Sequence, residues 1–302
     1  MGTSGWLSAR GGRVLGIDIG ASKIEWTYPT GGKICVWRIP VAKNWDEKKL
    51  LEIVRGLVNE YRPAAVGLSL AGFVVNGRLA ALPNLPKVDG ARFMNGLAGL
   101  SRAGIRFRLE NDVKCMALAE WNARGQKKDD DFLLVAPGSG IGAAIVKNGR
   151  LVRGAHNTAG EAGHMKMTDE RGRLVEFETL CGGFGIEKRF GKNGWDAKKI
   201  FMSKEMPAKR HAGFAARYFG LGLANLASVL DPAEIIVAGS VGRAYMQKRE
   251  LHKIMQKTFE ENAIAAVRKT PIRLSGQPMP ALRGACLLAQ GKKNGNATRF
   301  LE

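Results

Sequence analysis

Leu109-Glu110-Asn111-Asp112, Ala136-Pro137-Gly138-Ser139-Gly140-Ile141-Gly142-Ala143 and Gly160-Glu161-Ala162-Gly163-His164 all fall between Arg108 and His164, and this stretch decides how the rest of the chain is read. An acidic group ends one element, a glycine loop joins two apolar runs, and a Glu-x-x-His pair follows. Asn and Asp at such a junction also cap helices. A single glycine loop also makes a plain hairpin. Glu and His three apart share a face on one helical turn, as surface pairs do. Each piece alone leaves its two readings open.

Working outward, residues 14–18 form a short apolar run that reads as a buried strand. Residues 24–28 and 34–39 read as the next strands, with a hairpin turn at Gly31-Gly32-Lys33. Residues 46–61 carry apolar positions at helical spacing and stop before Pro63. Residues 65–70 return as a strand, and Asn76-Gly77 turns into 79–82. A helix over 91–103 and a strand over 105–109 lead to a helix over 113–123 that opens on Asn111 and Asp112. Strands follow at 132–136, 142–146 and 151–153, with a turn at Lys147-Asn148-Gly149. The second half is more helical: a helix over 212–230, a strand over 234–238, a helix over 244–263, a strand over 272–275 and a last helix over 280–289. Each half thus opens with hairpin-joined strands and continues as alternating helix and strand. That pattern predicts two related α/β domains facing a cleft, with a boundary in the polar stretch 123–131.

The chain has 302 residues, 45% hydrophobic and 25% charged, enough for a substantial core. No apolar run approaches the roughly 20 residues needed to cross a bilayer. No signal-peptide core is seen near the start, so the expected location is cytoplasmic and no membrane partner is expected. The cysteines, Cys35, Cys115, Cys181 and Cys286, are far apart and form no Cys-x-x-Cys pair. Free thiols are expected rather than disulfides or a cysteine-rich metal site. The net charge of +20 bears on solubility and association. Its basic residues are spread and poorly interleaved with aromatics, which speaks against nucleic-acid binding.

Asp18-Ile19-Gly20-Ala21-Ser22-Lys23 follows the first strand. Glycine there lets a phosphate approach the backbone, and Asp18 can position a metal ion through water. Asp112 suits a general base toward a hydroxyl, with Asn111 holding a neighbouring one. The amides of 138–140 and the Ser139 hydroxyl suit nucleotide phosphates. Gly239-Ser240 sits at the end of a strand where α/β sheets gather ligands.

In this order the pieces resemble the ROK family of sugar kinases, within the actin, Hsp70 and hexokinase-like superfamily. The resemblance runs over residues 13–290 and rests on Gly16-Ile17-Asp18-Ile19-Gly20, Pro83-Asn84-Leu85-Pro86, Glu110-Asn111-Asp112, the glycine loop with Asn148-Gly149 and Arg153-Gly154-Ala155, Gly160-Glu161-Ala162-Gly163-His164, Asp231-Pro232 with 235–239, and Ala281-Leu282-Arg283-Gly284-Ala285. It implies a two-domain actin/hexokinase-like (ribonuclease H-like) α/β fold with an interdomain active-site cleft. The N-terminal domain would span 13–122, completed by the helix 280–290, and the C-terminal domain 123–279, with flexible ends at 1–12 and 291–302.

The resemblance also implies roles. Asp112 is the catalytic base. Gly72, Asn84, Asn111, Glu161, His164 and Glu178 surround the sugar. Asp18, Gly20, Ser22, Lys23, Gly138, Ser139, Gly140 and Gly239 serve ATP, with Mg2+ near Asp18. Many members bind zinc through three cysteines following the Glu-x-Gly-His motif. Residues 165–177 hold no cysteine, so zinc is not expected and His164 is read as a sugar contact. The implied function is ATP-dependent phosphorylation of a hexose or N-acetylhexosamine by a homodimer or homotetramer. The alternative is a non-catalytic sugar-binding regulator. About a dozen residues precede the first strand, too few for a helix-turn-helix, which disfavours that alternative.

Overall fold

The computed structural model describes residues 14–28, 35–102 and 104–291. The turn expected at Gly31-Gly32-Lys33 and the ends expected to be flexible, Gly291 excepted, lie outside the described residues. These fall into two compact units. The first comprises the described residues up to Lys127, Arg150–Ala159 and those from Gln277; the second comprises Lys128–Gly149 and Gly160–Gly276.

The first unit runs β1 (Val14–Ile19), β2 (Lys23–Thr27), β3 (Val36–Pro40), α1 (Glu47–Tyr61), β4 (Ala65–Leu70), β5 (Phe73–Val75), β6 (Arg78–Ala81), α2 (Gly90–Ser101), β7 (Arg106–Asn111) and α3 (Asp112–Ala123). Its main sheet has the order β3-β2-β1-β4-β7. The first three strands are antiparallel neighbours, while β1, β4 and β7 run parallel. Parallel strands are covered on both faces, so β4 is apolar or small throughout and buried along its length. Helix α1 opens on Asp46, whose side chain accepts from the Lys49 amide at 3.0 Å, and buries Leu50, Val54, Leu57 and Val58 on one face. Asn76 and Gly77 both take positive φ, 51° and 73°, the conformation a two-residue hairpin requires.

The C-terminal helix (Pro280–Gln290) lies against β1 and β4. Gly16 and Gly67 are register partners on those strands. A Cβ on Gly67 would stand 1.9 Å from the Ala285 carbonyl oxygen, and one on Gly16 would stand 2.4 Å from the Cys286 sulfur. These two glycines are therefore a trough that seats the helix backbone. Gly284 does the same for α3, where its Cβ would meet the Cys115 oxygen at 2.0 Å.

The second half of the chain continues with β8 (Phe132–Pro137), β9 (Ile141–Lys147), β10 (Arg150–Val152), a 3-10 turn (Ala162–His164), β11 (Lys166–Thr168), β12 (Leu174–Glu176), α4 (Phe177–Cys181), α5 (Gly183–Phe190), α6 (Ala197–Met202), α7 (Met206–Leu230), β13 (Ile235–Val237), α8 (Ser240–Gln247), α9 (Arg249–Asn262) and β14 (Ile272–Leu274). The sheet order is β10-β9-β8-β13-β14. Strands β8 and β9 are antiparallel, and β8, β13 and β14 are parallel. This repeats the first sheet's plan. The core of the second unit is aromatic. Phe219 stacks on Tyr245 with centroids 4.9 Å apart, and the Tyr245 hydroxyl donates to the Cys181 carbonyl at 2.7 Å.

Two expectations need correction. The helix expected over 244–263 is two helices, α8 and α9, parted at Lys248, whose backbone is extended. The buried residues Tyr245 and Leu251 are out of phase for one helix, so a continuous rod would turn one apolar face outward. The helix expected over 212–230 begins earlier, at Met206, with Pro207 in its first turn, where a missing N–H costs nothing. The hairpin β11–β12 and the short helices α4 to α6 were not expected, because such elements are too brief for a period to show. Among the described residues no helix is long and apolar enough to cross a membrane.

Candidate functional site

In the first unit the three parallel strands end level with one another. Asp18 pairs in register with Ser69 and Ser69 with Glu110, while Ile19 pairs with Leu70 and Leu70 with Asn111. The Ser69 hydroxyl donates to Asp18 Oδ1 at 2.5 Å. Burial pushes the Asp18 carboxyl up to about 6, against the pull of the Ser69 hydrogen bond; Glu25 adds to the rise and Lys23 opposes it. The Gly20 amide closes the following turn on the Lys23 carbonyl at 3.0 Å. Ser22 is exposed, and the Lys23 ammonium lies 2.8 Å from Glu25. Of the residues predicted around the nucleotide in this loop, Asp18 and Gly20 are thus tied to the strand end, and Lys23 is engaged with a neighbour.

Asn111 caps α3. Its Oδ1 accepts from the amides of Val113 at 3.0 Å and Lys114 at 3.2 Å, and its Nδ2 donates to the Gly72 carbonyl at 3.2 Å. Asp112 begins the helix, half-buried, with Oδ1 accepting from the Val113 amide at 2.9 Å. Gly72 is there because of a close approach: a Cβ would meet the Ala81 oxygen at 2.3 Å. Asn84 lies half-buried in the turn between β6 and α2.

Sequence reasoning missed what stands behind Asn111. Glu110 is fully buried. Its carboxylate accepts from Arg153 Nε at 2.9 Å, Asn157 Nδ2 at 3.1 Å and the Asn111 amide at 3.1 Å. Asn157 Nδ2 also donates to the Val74 carbonyl at 2.6 Å, and the buried Lys114 ammonium donates to the Asn157 carbonyl. The available signal was a charged residue at the end of an apolar strand, which seldom stays buried without a partner.

In the second unit the glycine loop is held by its own backbone. The Gly138 amide donates to the Gly140 carbonyl at 2.9 Å. The carbonyls of Gly138 and Ser139 accept from the amides of Gly183 and Phe184, both at 2.9 Å, and so cap α5. The Ile141 amide donates to Glu178 Oε2 at 3.0 Å. That carboxylate is wedged between glycines: a Cβ on Gly140 would stand 2.4 Å from it, and one on Gly163 2.8 Å. Gly239 has φ 76°, and its Cβ would meet the Pro137 oxygen at 2.3 Å, so only glycine fits where β13 passes into α8.

Glu161 and His164 do not share an α-helical turn, a third correction. Glu161 precedes the 3-10 turn and accepts the His164 amide through its backbone carbonyl at 3.2 Å. His164 is exposed, with Nδ1 3.4 Å from Glu176. Lys166 also reaches Glu176, at 2.9 Å, and together with His164 holds its carboxyl below the usual range. His164, Glu176 and Glu178 are the one trio of metal-ligating types gathered among the described residues, with one ligand atom each within 4.8 Å. Its donors are an imidazole and two carboxylates, one of them already held by an ammonium. The nearby Cys181 is buried, its thiol pushed well up by that burial, and it donates to the Phe177 carbonyl.

At the tip of β11–β12, Asp169 accepts from the amides of Arg171 and Arg173, both at 2.9 Å, and from the Arg173 guanidinium at 2.8 and 3.0 Å. Arg173 thereby holds the Asp169 carboxyl down to about 2.

The chain matches the ROK family profile over residues 14–292. The N-acetyl-D-glucosamine kinase of Haemophilus influenzae is 32% identical over 289 residues, covering 85% of this chain and 92% of that protein. The bifunctional enzyme NanE/NanK of Brucella suis is 36% identical over 139 residues, 44% of this chain, and the match spans only 26% of that enzyme's length. Among solved structures, a ROK family glucokinase from Streptomyces griseus in complex with glucose and AMPPNP superposes with a TM-score of 0.74 at 22% identity, covering 92% of this chain and 99% of that one. The ROK hexokinase from Thermus thermophilus gives 0.71 at 24% identity, covering 92% and 98%. These likenesses show the fold: a two-domain, actin/hexokinase-like α/β architecture with two mixed five-stranded sheets.

Proposed function

The chain belongs to the ROK family, and on that premise we propose that it is an ATP-dependent sugar kinase acting on a hexose or N-acetylhexosamine hydroxyl. The observation that carries the reading is the division of labour at the start of α3. Asn111 supplies the helix cap, so the helix does not require the adjacent Asp112 for that purpose. A carboxylate opening a helix at the end of a parallel strand suits proton abstraction.

In this reading Asp112 takes the proton as the sugar oxygen bonds to the γ-phosphorus and ADP departs with the β–γ bridging oxygen. Asn111, Gly72, Asn84, Glu161, His164 and Glu178 are the residues that the family resemblance assigns to the sugar's other hydroxyls. The amides of Ser139 and Gly140, which have no backbone partner among the described residues, face the phosphates, with Gly239 on the adenosine side. Gly138 serves by shaping the loop, since its own amide is spent on Gly140. Asp18, held by Ser69, would help to hold a magnesium ion, which would offset the charge of the phosphates. Glu178 is oriented by its glycine cradle. Acceleration then rests on placement and on fixed dipoles and charges more than on covalent chemistry.

The family reading extends to a zinc-free cytoplasmic protein that self-associates as a dimer or tetramer. The exposed side chains of Met206, Phe214 and Ile254 on α7 and α9 are consistent with a covered surface. The test is an ADP-release assay with glucose, N-acetylglucosamine, N-acetylmannosamine, mannose and fructose. Saturable turnover with one or two of these is expected; no nucleotide consumption with any of them would overturn the proposal.

A further inference from the structure

We propose that Glu110, Arg153, Asn157 and Lys114 form a positioning device that sets the backbone of the β7–α3 junction, and with it the direction of the Asp112 carboxylate. The inference rests on the reading of Asp112 as the base and adds residues that touch no reactant.

The energetics point to a function beyond packing. Glu110 and Lys114 are 0% and 1% exposed, and they flank Asn111 and Asp112 in sequence. Withdrawing a carboxylate and an ammonium from water is strongly unfavourable unless both are fully engaged. An apolar pair of the same volume would pack as well at lower cost. What the charged pair supplies is direction. Glu110 Oε1 accepts the amide of Asn111 itself, so the carboxylate grips the backbone from behind, where the strand becomes the helix. Its other partners come from a later segment, 150–159. Arg153 holds Oε2 and Asn157 shares Oε1.

Asn157 is the pivot of this arrangement. Its backbone is left-handed, with φ 60°, a conformation that asparagine tolerates better than most residues. One amide group donates to both Glu110 and Val74, and the residue's carbonyl accepts from Lys114. Asn157 Oδ1 is buried with no hydrogen-bond partner. The side chain is therefore oriented only by what its NH2 group donates. An aspartate of the same shape would bring a second acceptor against Glu110 and reverse the interaction. Strand β5 (through Val74), the end of β7 and the first turn of α3 thus meet on one side chain. A base misplaced by about 1 Å loses of order 10²-fold in rate, so loosening this clasp is expected to appear in turnover.

The experiment is a mutant cycle between Asn157→Ala and Asp112→Asn, read as kcat and as sugar affinity by calorimetry, with thermal melts to verify folding. Asn157→Ala is expected to lower kcat about 10- to 100-fold with sugar affinity changed less than about threefold. In the Asp112→Asn background the same change is expected to cost less than about twofold, because residues that act through one group are not additive. Asn157→Asp should be at least as damaging as Asn157→Ala. If Asn157→Ala fails to fold, Arg153→Lys, at the more accessible edge of the cluster, takes its place and should show the same coupling at smaller size. Unchanged kcat in a folded variant, or losses that simply multiply with Asp112→Asn, would overturn the proposal. Near-normal turnover in Asp112→Asn alone would instead overturn the assignment of the base, so the two failures are distinct.

Discussion

In the first unit, the parallel strands β1, β4 and β7 end in side-chain functional groups: Asp18 on Ser69, then Glu110, Asn111 and Asp112. In the second unit, the matching strands β8 and β13 end in backbone: Gly138-Ser139-Gly140 and Gly239, folded closely on Pro137 and on the first turn of α5. The sheets share one strand order, and in each the three parallel strands and the antiparallel strand beside them match in direction, so the scaffold does not choose between these chemistries. Each choice brings its own supports. Carboxylates at a buried strand end need donors, and they draw in Ser69, Arg153 and Asn157. A bare backbone end needs room, and at Gly140 and Gly239 neighbouring atoms stand closer than a Cβ allows. The first end should respond to changes of charge, the second to changes of volume.

The largest expected effect breaks the first end. Asp112→Asn keeps the shape of the helix start and removes the proposed base, so kcat should fall by ~10²-fold or more with sugar affinity nearly intact, the scale of a lost general base. Steady-state kinetics with calorimetric sugar titration measures both. A variant that binds and turns over normally would remove the distinction between the two ends.

An intermediate effect is expected for one added methyl group at the second end. Gly140→Ala places a Cβ 2.4 Å from Glu178 Oε2, so the carboxylate must leave its cradle and its bond to the Ile141 amide. Sugar affinity should weaken about tenfold, near the ~1.5 kcal/mol of one hydrogen bond to a charged group. The paired control is Gly20→Ala in the first unit, whose Cβ meets only the Lys23 oxygen, at 3.2 Å. It should change affinity much less. Equal losses in the two variants would mean that volume is no more critical in one loop than in the other.

The smallest effect is electrostatic. The Asp18 carboxyl is raised from 3.8 to about 6 in the folded chain. A raised acid favours folding when protonated: its share of stability is present below 3.8 and lost as pH climbs through about 6. On the proposed reading, in which Asp18 would hold magnesium, magnesium-nucleotide binding uses the ionised form and therefore moves the other way, improving across the same window. Between about pH 7.5 and 5.5 the affinity for magnesium-AMPPNP should weaken about fourfold more in the wild type than in Asp18→Asn, following the ionised fraction. Identical pH profiles in the two proteins would show that Asp18 does not carry the dependence.

Much of this was readable before any coordinates. Strand β4 lies where the apolar run 65–70 predicts it, Asn76-Gly77 turns as its residue types require, and α1 starts on its aspartate. These features are written in a few adjacent residues. The break at Lys248 was not readable without attention to phase, and the hairpin β11–β12 was too short to announce itself. Roles were less readable than positions. Asn111 could be named as a site residue, but only the structure shows it serving as the cap beside Asp112. Lys23 could be named as a candidate nucleotide contact, and only the structure shows its ammonium on Glu25.

The sequence alone determined where strands and helices alternate, which junctions carry carboxylates and which carry glycines, and the family that this order resembles. It could do so because turn chemistry, capping and hydrophobic period act over a few neighbouring residues. The tertiary structure alone decided that Glu110 meets Arg153 and Asn157, that Glu178 rests against Gly140 and Gly163, and that Gly16 and Gly67 seat the last helix. Those partners are far apart along the chain. Burial, which makes a charge seek a donor and a helix seek a surface without side chains, acts only once the chain has closed upon itself.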